Sequence, residues 1–168
     1  NLLFTDKTGT ITKGQLEVVG FIAGNMKEYD SFAALPEVIR EYTYENVTLN
    51  TSAVLADGKI VGGNITERAL NKYIGGYRMQ DMPLRTVFVP FNSTNKYSFA
   101  GVMGAQEYTL AKGAPEKLVD LCDYYWDEAG RNLPLTEAMK QTLDGRMLQL
   151  AGKAIRMLAL CTLSLIHI

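Results

Sequence analysis

An excess of positive charge is the first thing this sequence does without. Seventeen Lys and Arg stand against 18 Asp and Glu in 168 residues, a formal net charge of -1. No overall basic field is present to hold nucleic acid or an anionic lipid surface. Cysteine is scarce too, with Cys122 and Cys161 the only two. So small a number suits a reducing compartment and gives no disulfide framework. No apolar run approaches the ~20 residues that span a bilayer, and no signal peptide is recognisable. Internal repeats and low-complexity tracts are also missing. What remains is an ordinary globular balance, 47% hydrophobic and 21% charged, in a chain long enough for one domain with a core.

Both ends are unusual. The chain begins at Asn1 rather than Met, so it reads as a piece of something longer. At the other end "LSLIHI", residues 163–168, resembles the translation of a sequencing-library adapter and reads as a non-native tail. The alternative is a short terminal strand. On the tail reading His167, the one histidine, carries no information.

The pattern between the ends mixes strands and helices. "NLLFT" is a short apolar run of the buried-strand kind, and "GQLEVVGFIAG" reads as a second strand between glycines. "PEVIREYTYEN" predicts a helix with Pro36 in its first turn and Val38, Ile39 and Tyr42 on one face. "TSAVLADGKIVGG" predicts a hairpin around Asp57-Gly58. "NITERALNKYIGG" predicts a helix capped by Asn64 and Glu67 and stopped by Gly75. Strand-rich sequence follows in "LRTVFVPF", "KYSFAGVM" and "EYTLAKG". "APEKLVDLC" reads as a short helix and "DYYWDEAGRNLPL" as a turn-rich connection. "TEAMKQTLDGRMLQLAGK" predicts a helix with Thr136 as its N-cap and Met139, Leu143, Met147 and Leu150 at helical spacing. "AIRMLALCTL" closes as a strand. The fold class expected is α+β, a mostly antiparallel sheet flanked by helices. "NLLFT" fits that sheet poorly and reads as one strand cut away from another domain, left exposed and unpaired.

Chemistry concentrates first in "FTDKTGTIT", residues 4–12. Asp6 stands just past an apolar strand, where parallel-sheet enzymes place catalytic groups. Lys7, Thr8, Gly9 and Thr10 add a cation, hydroxyls and free backbone N–H groups, a set suited to a phosphoryl group and a metal. Carboxylates can accept phosphate as nucleophiles. The plain alternative is an aspartate in a surface turn, and composition alone favours it.

The string "DKTGTIT" matches the phosphorylation signature of P-type ion-transporting ATPases. "GNITERAL", "PFNSTNKYS", "KGAPE" and "RMLALC" resemble, in the family's order, segments of its nucleotide-binding (N) domain. The resemblance covers nearly the whole chain up to about Thr162. It implies three segments. Residues 1–12 would be the first strand and phosphorylation loop of a truncated HAD-like phosphorylation (P) domain, residues 13–162 the N domain, and 163–168 the tail. It implies Asp6 as phosphate acceptor with Lys7 and Thr8 beside it, and Mg²⁺ held at Asp6 and Thr8. It implies ATP contacts from Glu67, Phe91, Ser93, Lys96, Lys112, Gly113, Ala114 and Arg156.

Each of those residues also has an ordinary reading. Phe91 follows "TVFVP", where alternation alone makes it a core residue; in the family the matching Phe stacks on adenine. Lys96 by itself is a solvated charge. Glu67 is a natural capping partner of Asn64, a role compatible with a ligand contact. Lys112 alone is a surface lysine, but at a strand end before Gly113 and a helix start a phosphate could approach. Arg156 in an apolar strand needs either an acidic partner or a phosphate. Ser98 departs from relatives that carry Gln or Met there.

The resemblance further implies a cytosolic domain of an integral membrane protein. Its remaining parts would be the rest of the P domain, an actuator domain and transmembrane helices. "TGD" and "GDGxND" segments are not found, so this stretch is expected to bind nucleotide without turning it over. The Ca²⁺ and Na⁺/K⁺ branch is the most similar, the bacterial Ca²⁺ type above all. Heavy-metal pumps are disfavoured for want of a His-Pro motif. A soluble HAD-superfamily phosphatase would usually carry a second Asp where Thr8 stands. A non-catalytic nucleotide-binding module is the remaining alternative. Four Asn-x-Ser/Thr triplets, at Asn46, Asn50, Asn64 and Asn92, read as chance.

Overall fold

The computed structural model describes residues 2–6, 16–56 and 59–164, with the backbone alone at 2–6, 54–56, 59, 60 and 164. The chain runs through β1 (Leu2–Asp6), β2 (Glu17–Ile22), β3 (Glu28–Tyr29) and α1 (Glu37–Leu49). The hairpin β4 (Val54–Ala56) and β5 (Lys59–Val61) leads to α2 (Ile65–Ile74). Then come β6 (Leu84–Val89), β7 (Tyr97–Met103), β8 (Glu107–Gly113) and α3 (Pro115–Leu118). A second hairpin, β9 (Tyr124–Trp126) and β10 (Asn132–Pro134), precedes α4 (Glu137–Gly152) and β11 (Ile155–Ser164).

Seven strands share one sheet in the order β3-β2-β1-β11-β8-β7-β6. Every pairing in it is antiparallel. The class is α+β, as expected. Helices cover both faces, and alternation along the strands feeds two separate cores. Phe21 and Leu160 join Ile39, Val47 and Leu70 in the layer under α1 and α2. Their neighbours Ile22 and Ala159 join Leu118, Leu143 and Leu150 in the layer under α3 and α4. Burial on both sides is why these strands read as nearly continuous apolar runs rather than as strict alternations.

The expectation of an unpaired first strand is corrected. β1 is interior: Leu3 stands opposite Phe21 on one side and Leu158 on the other. Without β1, strands β2 and β11 would each show an open ladder edge, and β1 would carry its own unpaired N–H and C=O groups. A register shift between Phe4 and Thr5 adjusts the fit to β2. At the far end β11 continues through the first residues of the "LSLIHI" string, with Leu163 opposite Thr109 and Ser164 opposite Tyr108. His167 lies outside the described residues.

Two local readings also changed. The turn-rich connection is a hairpin, closed by Asp127. Its Oδ1 accepts from the Ala129 and Arg131 amides at 3.0 and 2.8 Å, and its Oδ2 from Arg131 Nε at 2.7 Å. Helix α1 runs to Leu49, past the expected end, and its buried side is partly polar. Asn46 Nδ2 donates to the carbonyls of Ala111 (2.9 Å) and Cys161 (3.2 Å), fastening the helix to β8 and β11. Asn50 Nδ2 donates to Asn46 Oδ1 at 3.1 Å and to the carbonyls of Ser98 and Leu110, each at 3.3 Å. Both side chains are fully buried, so neither triplet at Asn46 or Asn50 presents an accessible amide for glycosylation.

Two outcomes test this arrangement. Asn46→Ala strips two sheet carbonyls of their donor and should lower the unfolding free energy by about 2–3 kcal/mol in a urea titration. A loss below about 0.5 kcal/mol would mean the bonds are not made. The amides of β1 should exchange with deuterium as slowly as those of β11, whereas exchange at edge-strand rates would remove β1 from the sheet interior.

Candidate functional site

The site grows from the start of α2. Asn64 Oδ1 accepts from the Glu67 amide (2.9 Å) and Glu67 Oε2 accepts from the Asn64 amide (3.0 Å), the reciprocal cap expected from the spacing. The carboxylate has further partners. The Ser52 amide donates to Oε1 at 3.1 Å, and the Ser52 hydroxyl to Oε2 at 2.8 Å. Gly63, at φ +66°, makes room for it, because an added Cβ would fall 2.9 Å from Oε2. Burial alone would raise the Glu67 carboxyl. The Ser52 hydroxyl and amide, the Asn64 amide and the Lys112 ammonium outweigh burial and hold it below the ordinary range.

Lys112 is not the surface lysine that its residue type alone suggests. It is 5% exposed. Its Nζ donates to the Asn50 carbonyl and lies 3.9 Å from Glu67 Oε1. Burial pushes the amine down to about 8, with Glu67 opposing. Asn50 is the C-cap of α1, so this cation meets the negative end of the helix. Arg85, which the sequence did not single out, works beside it. Its Nη1 donates to the Leu49 and Thr51 carbonyls at 3.0 and 3.2 Å. The orphan carbonyls of one helix end are therefore shared by two cations from two strands.

The stretch "PFNSTNKYS" forms a turn between β6 and β7. β6 ends at Val89, and Asn92 closes the loop: its Oδ1 accepts from the Asn95 amide (2.7 Å) and its carbonyl from the Lys96 amide (2.8 Å). Lys96 takes a left-handed φ of +63°. Phe91 stands off the strand and is 54% exposed, so the core reading of that ring is excluded. Ser93 is exposed in the same turn. The Lys96 carbonyl accepts from the Ala114 amide at 2.8 Å, which joins this turn to "KGAPE". Lys96 Nζ is 3.6 Å from Glu116 Oε1, a solvent-exposed pair of small energetic weight.

Gly113 has a different reason from the one its position suggested. A Cβ there would lie 2.4 Å from both the Lys96 carbonyl oxygen and Tyr97 Cβ. The glycine admits the neighbouring main chain, not an open approach for a ligand. Ser98 is buried across from Lys112, and its hydroxyl donates to the Lys112 carbonyl at 3.3 Å. The departure from relatives at Ser98 is thus an internal contact.

Glu67 and Lys112 are brought together, and Lys96 meets Gly113 and Ala114, with Phe91 and Ser93 on the adjoining β6–β7 connection. Arg156 stands further along β11, exposed and opposite Thr5. It lies four residues before Leu160, the partner of Lys112, so alternation places it on the same sheet face. Asp6 ends β1, opposite Ile155 and Glu17. Lys7 and Thr8 lie outside the described residues. Among the described residues no group of three or more His, Cys, Asp and Glu is gathered to hold a metal.

The fold and this site define an α+β domain that offers an exposed aromatic ring, a half-exposed lysine and a buried lysine–glutamate pair. A family model described as "P-type ATPase, cytoplasmic domain N" matches residues 39–167, and the chain belongs to that family. It is 31% identical, over 93% of its length, to a plasma membrane-type calcium-transporting ATPase 10 of Oryza sativa subsp. japonica. It is 30% identical over 96% of its length to a sodium/potassium-transporting ATPase alpha subunit of Tetronarce californica. The corresponding alpha-2 subunit of Bos taurus is 27% identical over the same share. The chain spans only 17% of the first relative and 18% of the other two. Among the described residues no helix is long and apolar enough to cross a membrane.

The Lys112 amine gives a pH test with a definite sign. Between about 8 and 10.5 the unfolded chain holds this proton and the folded chain does not. Stability should therefore rise with pH across that window, while below it the full cost of the buried charge is carried. Measured as wild type minus Lys112→Met, the unfolding free energy should climb from pH 8 to pH 10. A flat difference would mean that the amine is solvated.

Proposed function

We propose that this chain is the ATP-binding part of a P-type ATPase that moves cations across a membrane through an aspartyl-phosphate intermediate. The observation that carries the reading is the exposed Phe91 ring beside the Asn92–Lys96 turn, which bonds to Ala114 two residues past the buried Lys112, in a chain of the N-domain family. A half-exposed ring at a strand end can stack on a purine, and such stacking contributes about 1–3 kcal/mol per base. Lys96, Ser93 and the Ala114 region would meet polar edges of the nucleotide. Lys112 and Glu67 would set the inner wall. Arg156, on the same sheet face and towards Asp6, would meet the phosphates.

Asp6 is the phosphate acceptor in this reading, with Lys7 and Thr8 beside it. Its place at a strand end next to the Thr5–Arg156 pair supports that role. When bound, Mg²⁺ would neutralise phosphate charge. Asp6 and Thr8 would hold it only together with phosphate oxygens and water, because two protein ligands do not complete its octahedron. Residues 1–12 are proposed as the start of a P domain and 13–162 as the N domain. The intact protein would add the remaining P domain, an actuator domain and transmembrane helices, with this part on the cytosolic side. The cation is assigned to the Ca²⁺ and Na⁺/K⁺ class, and the bacterial Ca²⁺ type remains the specific proposal. The chain by itself should bind ATP without hydrolysing it.

Calorimetric titration with ATP tests the reading. Saturable binding is expected. Phe91→Ala should weaken it roughly 5- to 150-fold, the equivalent of about 1–3 kcal/mol. The same substitution, at an exposed ring, should leave stability within about 0.5 kcal/mol. No saturation at several millimolar ATP, or equal affinity in the variant, would overturn it.

A further inference from the structure

On the sheet face opposite the candidate site, the two cysteines of the chain meet. Cys161 lies on β11 opposite Ala111 of β8. Alternation turns it away from Leu160 and into the layer under α3 and α4. Cys122 follows α3, its amide bonded to the Val119 carbonyl at 3.1 Å. Both are free thiols, and both pack against the apolar layer under α3 and α4. Both also line one cavity of about 20 Å³, walled otherwise by residues that include Leu118, Val119, Tyr125, Leu135 and Leu143. That is room for about one water-sized molecule. It is far too small for a tripeptide thiol such as glutathione.

The two sulfurs are not equivalent. The neighbouring Cys161 side chain holds the Cys122 thiol below its ordinary range, aided by the Lys140 ammonium and opposed by burial and by Asp123. The neighbouring Cys122, together with burial, holds Cys161 in its protonated form. One sulfur is thus disposed to be the thiolate and the other its proton donor.

We propose that Cys122 and Cys161 form a dithiol that reacts with small peroxides, Cys122 as the sulfur attacked first and Cys161 as the sulfur that resolves it into an intrachain disulfide. The Cys122 thiolate attacks one oxygen of hydrogen peroxide, and the O–O bond breaks. Cys122 becomes a sulfenic acid, and the departing hydroxide takes a proton to leave as water. Cys161 then attacks the sulfenic sulfur. The S–S bond forms, and the S–OH bond breaks to release a second water carrying the Cys161 proton. Two thiols are oxidised by two electrons, and one peroxide is reduced to two waters. The link ties the segment after α3 to an interior strand. The Cys161 carbonyl also accepts from Asn46, whose amide oxygen accepts from Asn50. The proposal does not depend on the nucleotide reading.

The test exposes the reduced chain to one equivalent of hydrogen peroxide and, separately, to oxidised glutathione. Peroxide should remove both titratable thiols, lower the intact mass by two hydrogens and leave a monomer on a non-reducing gel. A peptide map should join Cys122 to Cys161. Cys161→Ser should stop at a sulfenic acid on Cys122, captured by dimedone. Cys122→Ser should lose its remaining thiol at least ~10-fold more slowly. Survival of both thiols, equal rates in the two variants, a disulfide between two chains, or faster glutathionylation than peroxide oxidation would each overturn the proposal. Should the variants fail to fold, the peptide map of the unaltered chain decides: an intrachain link supports the proposal and its absence ends it.

Discussion

The buried amine of Lys112, set against the C-terminal carbonyls of α1, is the interaction on which the rest of this structure turns. A cation 5% exposed is unfavourable unless something negative is fixed beside it. Two such things are present, the Asn50 carbonyl and the Glu67 carboxylate. Each is itself held by other contacts. Asn50 is anchored to Asn46, Ser98 and Leu110, and Glu67 to Ser52 and Asn64. One charge thereby fixes how α1, α2, β7 and β8 meet. Buried ion pairs gain little net stability over apolar packing, and breaking one is costly. Such a pair specifies geometry more than it adds strength.

That geometry explains why the exposed part of the site lies where it does. Gly113 lets the main chain of Lys96 and Tyr97 pass within a distance no other residue would allow. The Lys96 carbonyl then accepts from the Ala114 amide, and the turn from Asn92 to Lys96 is pinned to the end of β8. Phe91, left outside both the strand and the core, is the ring this construction presents. The site combines a buried Lys112–Glu67 pair with a small polar turn and an exposed aromatic ring.

Much of this was legible in the sequence, and what was missed has physical causes. Asn64 and Glu67 announce their cap because both partners sit on one helix end, three residues apart. The spacing of Met139, Leu143, Met147 and Leu150 announces α4 in the same way; Leu143 and Leu150 are buried in it. Lys112 could be picked out only through the string around it. Its burial depends on Asn50 and Glu67, which are far from it in the chain. Asn46 and Asn50 drew notice only as members of chance triplets, because a helix whose buried face is polar gives no apolar periodicity. Arg85 gave no signal because its partners are main-chain carbonyls 34 and 36 residues away. The first strand was misread as unpaired because an apolar run shows that it is buried, not against which strands.

The place of β1 has a mechanical meaning. It is the seam between a two-stranded part, β3 and β2, and a four-stranded part, β11, β8, β7 and β6. Lifting it out would leave a slot one strand wide, with an unsatisfied ladder on either wall. An extended peptide of suitable pattern could occupy that slot by strand addition. The segment that ends in Asp6 is thus a separable insert in the sheet. A chain lacking it should be rescued by supplying those few residues in trans.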